Sequence, residues 1–490
     1  MPVNFSGARN VAPFHFAGTD RTVLLSAALF VVALACAPGV VSDAVGPATP
    51  APVAAIQVVL ASTSVVTGDA TQATATILDS TNHVLTGYGV AWSSADPAVA
   101  TVGSDGAVRA VAPGSASVIA SSNGKHGSAT IVVTTPAPVA SGRWVTGYYV
   151  GYQRDLYPEQ TIDFTNLTHI TVGRIRPTVT GGVITDFDID TINGPAMART
   201  ISARAHQAHR KALLMLGGAG EHDGFVGAAS NTNRTAFVQK LLSVMSDLGY
   251  DGLDVDWEPI DAVDQAPLLA LLTDLRTARP GIILTIPVGW VNTNFPAIDP
   301  WYVRVASVVD QMNLMTYEMA GNWGGWTSWH SAALFDAQPT HPSSIAASAA
   351  AYKGAGIAAS KLGIGVPFYG TCWRNVLAPR LTLGTGADVY ASDNDMSYTN
   401  IMSLYYVAGA RSWDPVAQVP YLSYSTGKGP NNCNFISYDD PQSVAAKGNF
   451  VKANGYGGAI IWTLAQGHLP TAAAGQQDPL LTALYSAIAP

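Results

Sequence analysis

The sequence has little charge, few cysteines and no apolar run long enough to cross a bilayer. Lys, Arg, Asp and Glu make up 12% of its 490 residues, and the net charge is −8. That acidic balance argues against binding to nucleic acid or to an anionic membrane surface. The three cysteines, Cys36, Cys372 and Cys433, form no C-x-x-C pair or His/Cys cluster, so zinc is not expected. The apolar run over residues 23–37 is shorter than the ~20 residues that span a bilayer.

Residues 1–50 predict a signal peptide followed by a linker. Arg9 and Arg21 precede the apolar run, and small residues follow it. We therefore expect a secreted, extracellular protein. The stretch Leu-Ala-Cys that ends at Cys36 faintly resembles a bacterial lipobox, so a lipid anchor at Cys36 is the less favoured alternative.

Between residues 53 and 134 the sequence consists of short alternating runs separated by Gly, Asp-Pro and Asn-Gly turns. About seven such runs are typical of an all-β Ig-like sandwich, with Trp92 as a candidate core residue. The stretch from Trp92 to Val102, with Gly106 and Gly114 after it, resembles the bacterial Ig-like group 2 domain. That resemblance implies a spacer without catalytic residues. Residues 135–142 are rich in Pro and predict a second linker, followed by a larger domain over 143–490.

Residues 251–258, Asp-Gly-Leu-Asp-Val-Asp-Trp-Glu, alternate apolar side chains with carboxylates, which is the pattern of a β-strand. Asp254, Asp256 and Glu258 would share one face of that strand. Because unpaired buried charges are unfavourable, we expect these acids at the open end of a barrel strand. A proton shared there would keep Glu258 ready as a general acid. Two other interpretations are an exposed edge strand and a Mg²⁺ or Ca²⁺ site, since carboxylate oxygens suit both ions.

Eight apolar runs alternate with helical stretches after residue 143, which predicts parallel α/β structure. Their spacing predicts a (β/α)8 TIM barrel with an insertion, at about 371–435, between strands 7 and 8. The predicted strands cover residues 145–151, 169–175, 212–218, 251–258, 282–287, 308–317, 362–367 and 458–463. Active sites of such barrels lie at the carboxyl ends of the strands. Either Tyr148 or Tyr149 of strand 1 would therefore enter the site, because adjacent residues of a strand face opposite ways.

The motif D-G-x-D-x-D-W-E over residues 251–258 resembles the signature of glycoside hydrolase family 18, the chitinases, where it ends strand 4 of a (β/α)8 barrel. The resemblance implies hydrolysis of β-1,4 bonds between N-acetylglucosamine residues, with the substrate's own N-acetyl carbonyl attacking the anomeric carbon. Glu258 would donate the proton, Asp256 would orient the acetamido group, and Tyr317 would hydrogen-bond its oxygen. Asp254 completes the implied catalytic set. Strand spacing alone leaves open a direct nucleophilic role for Asp256.

The resemblance also implies that the insertion between strands 7 and 8 is an α+β insertion. It implies a set of substrate-binding residues on strands 1, 6 and 8 and on the loop after strand 6. They are Tyr148, Gln311, Asn313, Met315, Glu318, Trp323 and Trp462. Glu318 stands where the family motif M-x-Y-D has Asp, so its contact with the substrate would require a shift. Met215 and Ala219 depart from the family's strand 3, where a serine hydroxyl would bond Asp254 and a Trp often follows two glycines. We expect no cofactor and no metal.

Two other functions are compatible with this resemblance. One is an endo-β-N-acetylglucosaminidase acting on glycoproteins or peptidoglycan, although such relatives usually lack the long insertion. The other is a non-catalytic chitin-binding lectin, although lectins of the family typically lose the acid present here as Glu258. We expect the partner to be chitin or N-acetylglucosamine oligosaccharides and the protein to be a monomer. Cys372 and Cys433 both fall in the insertion, which predicts a disulfide in an exported chain; two separate thiols are the alternative.

Overall fold

The computed structural model describes residues 51–66, 70–134 and 142–489. The predicted signal peptide, with Cys36, and most of the second predicted linker lie outside the described residues. Within the described part of the chain, no helix is both long and apolar enough to cross a membrane.

The amino-terminal domain is a sandwich of two four-stranded sheets, which confirms the predicted Ig-like architecture. Its strands are β1 (Ala55–Leu60), β2 (Ser64–Val66), β3 (Ala70–Leu78), β4 (Ala91–Ser94), β5 (Ala100–Val102), β6 (Ala107–Ala110), β7 (Gly114–Ser122) and β8 (Lys125–Thr134). The strand orders are β1-β3-β6-β5 and β2-β8-β7-β4. Val108, Val118 and Ile131 contribute fully buried side chains from both sheets, and half-buried Trp92 packs against this core. Strand β2 was not among the predicted strands.

The second domain is built on eight parallel strands that close into a barrel, as predicted. The barrel strands are β9 (Trp144–Val150), β10 (His169–Pro177), β12 (Lys211–Ala219), β13 (Gly252–Glu258), β14 (Ile283–Gly289), β15 (Gln311–Met315), β16 (Leu362–Pro367) and β22 (Gly458–Trp462). Consecutive strands of this series pair with each other, and β9 also pairs with β22, which closes the ring. A short strand, β11 (Val183–Ile184), adds to β10 as a hairpin.

Helices follow most of the barrel strands and cover the outside of the barrel. They are α1 (Asn193–Gln207), α2 (His222–Ala228), α3 (Arg234–Leu248), α4 (Gln265–Ala278), α5 (Trp301–Val308), α6 (Ile345–Gly354), α7 (Tyr398–Asn400), α8 (Pro441–Asn454), α9 (Leu464–Gly467) and α10 (Pro479–Ile488). Leu253, Val255 and Trp257 of β13 are buried in one core with Leu241 of α3 and Leu271 of α4. The apolar residues of β13 therefore face the helices, and its acidic residues face the barrel interior.

The insertion between β16 and β22 forms a second, five-stranded antiparallel sheet. Its strands are β17 (Thr371–Arg374), β18 (Asp388–Ala391), β19 (Arg411–Asp414), β20 (Val419–Lys428) and β21 (Cys433–Ser437). The sheet has its own core, in which Trp373 and Phe435 are fully buried. Cys372 and Cys433 form a disulfide between β17 and β21, with their Cα atoms 5.3 Å apart, so the predicted pairing is confirmed.

Candidate active site

The three acids of β13 lie in the barrel interior at increasing height toward its mouth. Asp254 is fully buried, Asp256 is 4% exposed and Glu258, the last residue of the strand, is half-buried. On the opposite face of the strand, Trp257 stacks on Phe225 of α2 with ring centroids 4.8 Å apart. This packing fixes the outward face of β13 and with it the direction of the carboxylates.

Asp254 is held by two hydroxyl groups from other strands. Tyr148 of β9 donates a hydrogen bond of 2.6 Å to Asp254 Oδ2, and Thr285 of β14 donates one to Oδ1. Tyr149 faces the other way and donates to the Tyr157 carbonyl, so Tyr148 is the strand-1 residue of the site. Met215 of β12 provides no hydroxyl, as expected, but Thr285 pairs with Asp254 in the strand register and supplies one from the neighbouring strand.

Burial dominates the acid–base properties of Asp254 and Asp256. It raises the pKa of Asp254 to about 6, with a further contribution from the charge of Glu258, although Thr285 and Tyr148 oppose the rise. Burial, the charge of Glu258 and a hydrogen bond with Glu258 raise the pKa of Asp256 well above its usual range. The two carboxyl groups therefore titrate as a pair, and burial favours the protonated form of Asp256.

The Tyr317 phenol faces these acids from the loop that follows β15. Burial and the charges of Glu258 and Asp256 raise its pKa well above 10, so the phenol stays protonated and can donate a hydrogen bond. Tyr369, which follows β16, packs edge-on against Tyr317 with ring centroids 6.1 Å apart. Met315, the last residue of β15, is half-buried at the same level.

Glu318 adopts a left-handed backbone conformation, with φ of 52°, and its carboxylate is held by the insertion. The Ser392 hydroxyl donates to Glu318 Oε1 over 3.0 Å, and Tyr369 also hydrogen-bonds the carboxylate. The side chain reaches solvent, yet the protein packed around the carboxylate raises its pKa, as does the charge of Asp393. The longer Glu side chain is thus accommodated by a contact with Ser392 rather than left free in the cleft.

The structure does not support substrate contact for Gln311 and Asn313. Both side chains are buried in the amino-terminal half of β15, away from the mouth. Asn313 Oδ1 accepts a 3.0 Å hydrogen bond from the Trp144 indole, and Gln311 lies in register with Thr285. Inward-facing residues at the start of a barrel strand fill the interior below the site, so the predicted substrate contacts of these two residues stay predictions.

Aromatic side chains lie on both sides of the three acids. Trp462 ends β22, is half-buried and lies 5.6 Å from Tyr148 between ring centroids. Its indole N–H donates to Asp393 Oδ1 of the insertion over 3.3 Å. Trp323 is half-buried in the loop after β15, and its ring centroid lies 6.1 Å from that of Trp290, the residue after β14. Flat aromatic faces of this kind can stack on the apolar faces of sugars.

Two parts of the chain match sequence models of known families. Residues 145–467 match the sequence model of glycosyl hydrolases family 18, and residues 52–133 match that of the bacterial Ig-like domain (group 2). The first match covers well over half of the chain and includes all three acids of β13.

The chain belongs to glycosyl hydrolases family 18. Among family 18 relatives, Chitinase A1 of Niallia circulans is 28% identical over 272 residues, which are 48% of this chain and 38% of that protein. Chitinase B of Serratia marcescens is 26% identical over 338 residues, 55% of this chain and 66% of that protein. The chain thus spans between about a third and two thirds of the length of these two relatives.

Solved structures of chitinases resemble about 70% of the chain. The class V chitinase from Nicotiana tobaccum is 26% identical, with a TM-score of 0.56, and the match covers 70% of this chain and 99% of that one. The Ostrinia furnacalis Group IV chitinase in complex with allosamidin is 24% identical, with a TM-score of 0.58 over 70% of this chain and 98% of that one. The second likeness shows the fold alone.

Four residues of this family 18 site were missed by the sequence analysis: Thr285, Tyr369, Asp393 and Arg174. The Arg174 guanidinium pairs with Asp188 at 3.0 Å and with Glu221 at 3.3 Å, and its charge lowers the pKa of Asp256 against the effect of burial. Arg174 and Thr285 lie on strands already predicted, so listing inward-facing polar residues of every strand would have found them. Asp393 lies in the insertion, whose path over the barrel mouth has no signal in the sequence.

Within the described residues, one group of side chains has the spacing of a metal site: His222, Asp261 and Asp264. His222 Nε2 lies 3.0 Å from Asp264, and hydrogen bonds with Asp264 and Asp223 raise the pKa of His222 although burial opposes the rise. The contact between His222 and Asp264 is an ion pair when the imidazole is protonated.

Proposed function

We propose that this protein is a chitinase that hydrolyses β-1,4 bonds between N-acetylglucosamine residues by substrate-assisted, retaining catalysis. The observation that carries the proposal is the stacked arrangement of Glu258 at the barrel mouth over buried Asp256, with the Tyr317 phenol facing both. One half-buried acid is in place to protonate a leaving oxygen, and a carboxyl–phenol pair is in place to hold an acetamido group. The names of the family 18 relatives point to the same substrate class.

Proton movement in this site follows from the shared proton of Asp256 and Glu258. When a sugar acetamido group approaches Asp256, its N–H favours the carboxylate form and the proton passes to Glu258. Glu258 then protonates the glycosidic oxygen while the acetamido carbonyl oxygen attacks C1, which breaks the C1–O bond and forms an oxazolinium ion. Water, deprotonated by Glu258, attacks C1 and restores the N-acetyl group. Two inversions at C1 leave the product with its original configuration.

Asp256 is suited to stabilise this intermediate rather than to attack C1. Its Oδ1 atom is buried and has no hydrogen-bond partner among the described residues, so it can accept the acetamido N–H. The carboxylate also lies below Glu258, inside the barrel and 4% exposed, which favours contact with a group that reaches down from the sugar. A charge held in this dry environment stabilises developing positive charge more strongly than it would in water.

The decisive experiment compares acetylated with fully deacetylated β-1,4-glucosamine polymer. We expect only the acetylated polymer to be cleaved, with the β anomer formed first, and we expect Asp256→Asn to bind chitin while losing most of its rate. Initial release of the α anomer, or equal cleavage of both polymers, would contradict the mechanism. Absence of any cleavage with retained chitin binding would instead favour a lectin.

We also propose that the chain is exported, because the apolar run at 23–37 has the pattern of a signal peptide. The Cys372–Cys433 disulfide supports this, since disulfides persist in oxidising compartments. Fractionation of an expressing cell, followed by determination of the amino terminus of the released protein, tests the proposal. Retention of the whole chain, with both cysteines reduced, would contradict it.

A further inference from the structure

Arg174 is a charged residue near the catalytic acids that the proposed mechanism does not use. It lies near the end of β10, where the register with β12 shifts between Val172 and Ile175. An irregularity of this kind re-aims a side chain that would otherwise follow the alternation of the strand. The Arg174 side chain is 25% exposed, so its charge is only partly screened by water and acts on its buried neighbours.

The Arg174 guanidinium binds the end of β12, the strand that lies next to the catalytic strand β13. Its Nη1 atom donates to the Ala219 carbonyl at 3.3 Å and to the Gly217 carbonyl at 3.5 Å. In the pairing of β12 with β13, Gly217 lies opposite Asp256. Ala219 lies opposite Glu258 in the same pairing. Arg174 therefore holds β12 at the two levels where the paired acids lie on β13.

Two carboxylates from other segments bind the same guanidinium. The Nε atom donates to Asp188 Oδ2 over 3.0 Å, and Nη1 lies 3.3 Å from Glu221. Asp188 follows β11, and Glu221 directly precedes α2, so one side chain connects these two segments to the end of β12. A guanidinium can do this because it is planar and carries five N–H donors in a fixed geometry, whereas a lysine ammonium is a compact point charge.

Gly218 lies close to both the Arg174 guanidinium and the Asp256 carboxylate. Its φ of 99° is in the left-handed region, which glycine adopts without steric cost. A Cβ atom at Gly218 would lie 3.7 Å from Arg174 Nη1 and 3.7 Å from Asp256 Oδ2, so these two atoms are at most twice that distance apart. At such a separation the positive charge favours the carboxylate form of Asp256 and lowers its pKa against the effect of burial.

We propose that Arg174 is a positioning residue of the hydrolysis reaction, which fixes the end of β12 beside Asp256 and Glu258 and supplies a positive charge near that pair. The inference rests on the proposed function and extends it to a residue of strand 2. It assigns two separable effects to one side chain. The hydrogen bonds to β12 maintain the geometry of the site, and the charge eases release of the proton that the pair shares.

The basic limb of the kcat/KM profile distinguishes these two effects. The pair must keep one proton for Glu258 to donate, so activity ends at the pH where that proton is lost. Loss of the Arg174 charge, which also leaves Asp188 and Glu221 without this partner, favours retention of the proton and moves the limb upward. A purely structural loss would loosen β12 and admit water to the pair, which favours ionisation and moves the limb downward.

Other titratable groups face the pair and the guanidinium and stay unchanged in this comparison. Those that face the pair are Asp254, Tyr148, Tyr317 and Glu318, and Tyr152 faces the guanidinium.

Profiles of kcat/KM on a soluble chitin oligosaccharide are measured for wild type and three variants. Arg174→Gln should move the basic limb upward by about 0.5–1.5 pH units. Arg174→Lys keeps the charge, so its limb should stay in place, whereas its optimum kcat/KM should fall about three- to tenfold because an ammonium cannot span the same partners. Arg176→Gln is the matched control and should leave the limb in place, because Arg176 lies on the same strand, is 26% exposed and pairs with Asp186 at 2.6 Å.

An Arg174→Gln limb that stays in place or moves downward would overturn the inference and leave the proposed function intact. An equal upward shift in Arg176→Gln would also overturn it, because the effect would then not depend on the place of Arg174 beside Asp256. If Arg174→Gln is insoluble, Arg174→Lys decides, and a wild-type optimum of kcat/KM in that variant would overturn the inference. Wild-type protein that releases no product would overturn the proposed function and the inference with it.

Discussion

Replacing Thr285 by Val removes one of the two hydroxyl groups that bond Asp254 while keeping the shape of the side chain. A hydrogen bond to a charged group contributes about 1.5–3 kcal/mol, which corresponds to about 1–2 pKa units. The hydroxyl favours the ionised form of Asp254, whose pKa is about 6. Its loss should therefore raise this pKa to about 7–8, and Asp254 would be largely protonated at neutral pH.

A protonated Asp254 cannot add its negative charge beneath the oxazolinium ion. We therefore expect the acid limb of the kcat/KM profile of Thr285→Val to move upward by about 1–2 pH units. At pH values well above this acid limb, kcat/KM of Thr285→Val should approach the wild-type value. Thr285→Ser keeps the hydroxyl and should keep the wild-type profile.

The assay is the initial rate on a soluble chitin oligosaccharide, measured from about pH 4 to about pH 9 for wild type and both variants. The profile of kcat/KM reports groups of the free enzyme, which is where the Asp254 contacts are observed. The reasoning would be refuted by a Thr285→Val profile that overlays the wild-type one, or by a loss of rate that is the same at every pH.

Three further predictions address the acid, the domains and the disulfide. Glu258→Gln should retain less than a few per cent of activity on oligosaccharides, since general acid catalysis contributes about 10²–10⁴-fold; substantial residual activity would exclude Glu258 as the proton donor. A chain that begins at Gly142 should fold and cleave oligosaccharides at the full-length rate, and an insoluble product would show that the sandwich supports the barrel. Cys372→Ala with Cys433→Ala should lower the free energy of unfolding by about 4 kcal/mol for a 61-residue loop, and an unchanged midpoint in denaturant would contradict this.

Periodicity in the sequence was sufficient to predict the barrel and the direction of its acids. The alternation in residues 251–258 puts Leu253 and Val255 on one face and Asp254 and Asp256 on the other, and both assignments match the structure. Strand β16 has the predicted bounds, Leu362–Pro367. Such local patterns are predictable because one face of each element must be buried.

One boundary and one short strand were less predictable than the rest of the fold. The boundary lies where an apolar run continues from a helix into the next strand. Strand 6 was predicted to begin at Val308, but Val308 ends α5 and β15 begins at Gln311. Apolar residues at a helix end and at a strand start have no distinct period over so few positions. Strand β2, Ser64–Val66, is too short for any alternation to be recognised.

Contacts beneath and above the acids depend on barrel closure and could not be predicted. Thr285 lies 31 positions from Asp254 in the chain, and only the pairing of β13 with β14 brings its hydroxyl to the carboxylate. Ser392 and Asp393 reach Glu318 and Trp462 because the insertion folds back over the mouth. Met215 predicted the loss of a hydrogen bond to Asp254. In the structure, Thr285 of the neighbouring strand supplies the hydroxyl group instead.

Asp254 also has a consequence for stability, since its pKa is about 6 in the folded protein and 3.8 is its ordinary value. Between these two pH values the folded state keeps a proton that the unfolded state releases, so stability falls as pH rises through that window. The full difference of about 2.2 pKa units corresponds to about 3 kcal/mol lost above pH 6.

Asp254→Asn removes this titration, and its amide oxygen can still accept a hydrogen bond from one of the two hydroxyl groups while its NH2 group donates to the other. We expect the free energy of unfolding of this variant, relative to that of wild type, to be about 2.4 kcal/mol larger at pH 8 than at pH 4, as measured by denaturant titration of the barrel transition. Activity should fall in the same variant, because the neutral amide adds no negative charge beneath the oxazolinium ion. A stability difference independent of pH would show that burial does not raise the pKa of Asp254 in the folded protein. A gain in stability at pH 8 together with a loss of rate in Asp254→Asn would show that this buried acid is present for catalysis and not for folding.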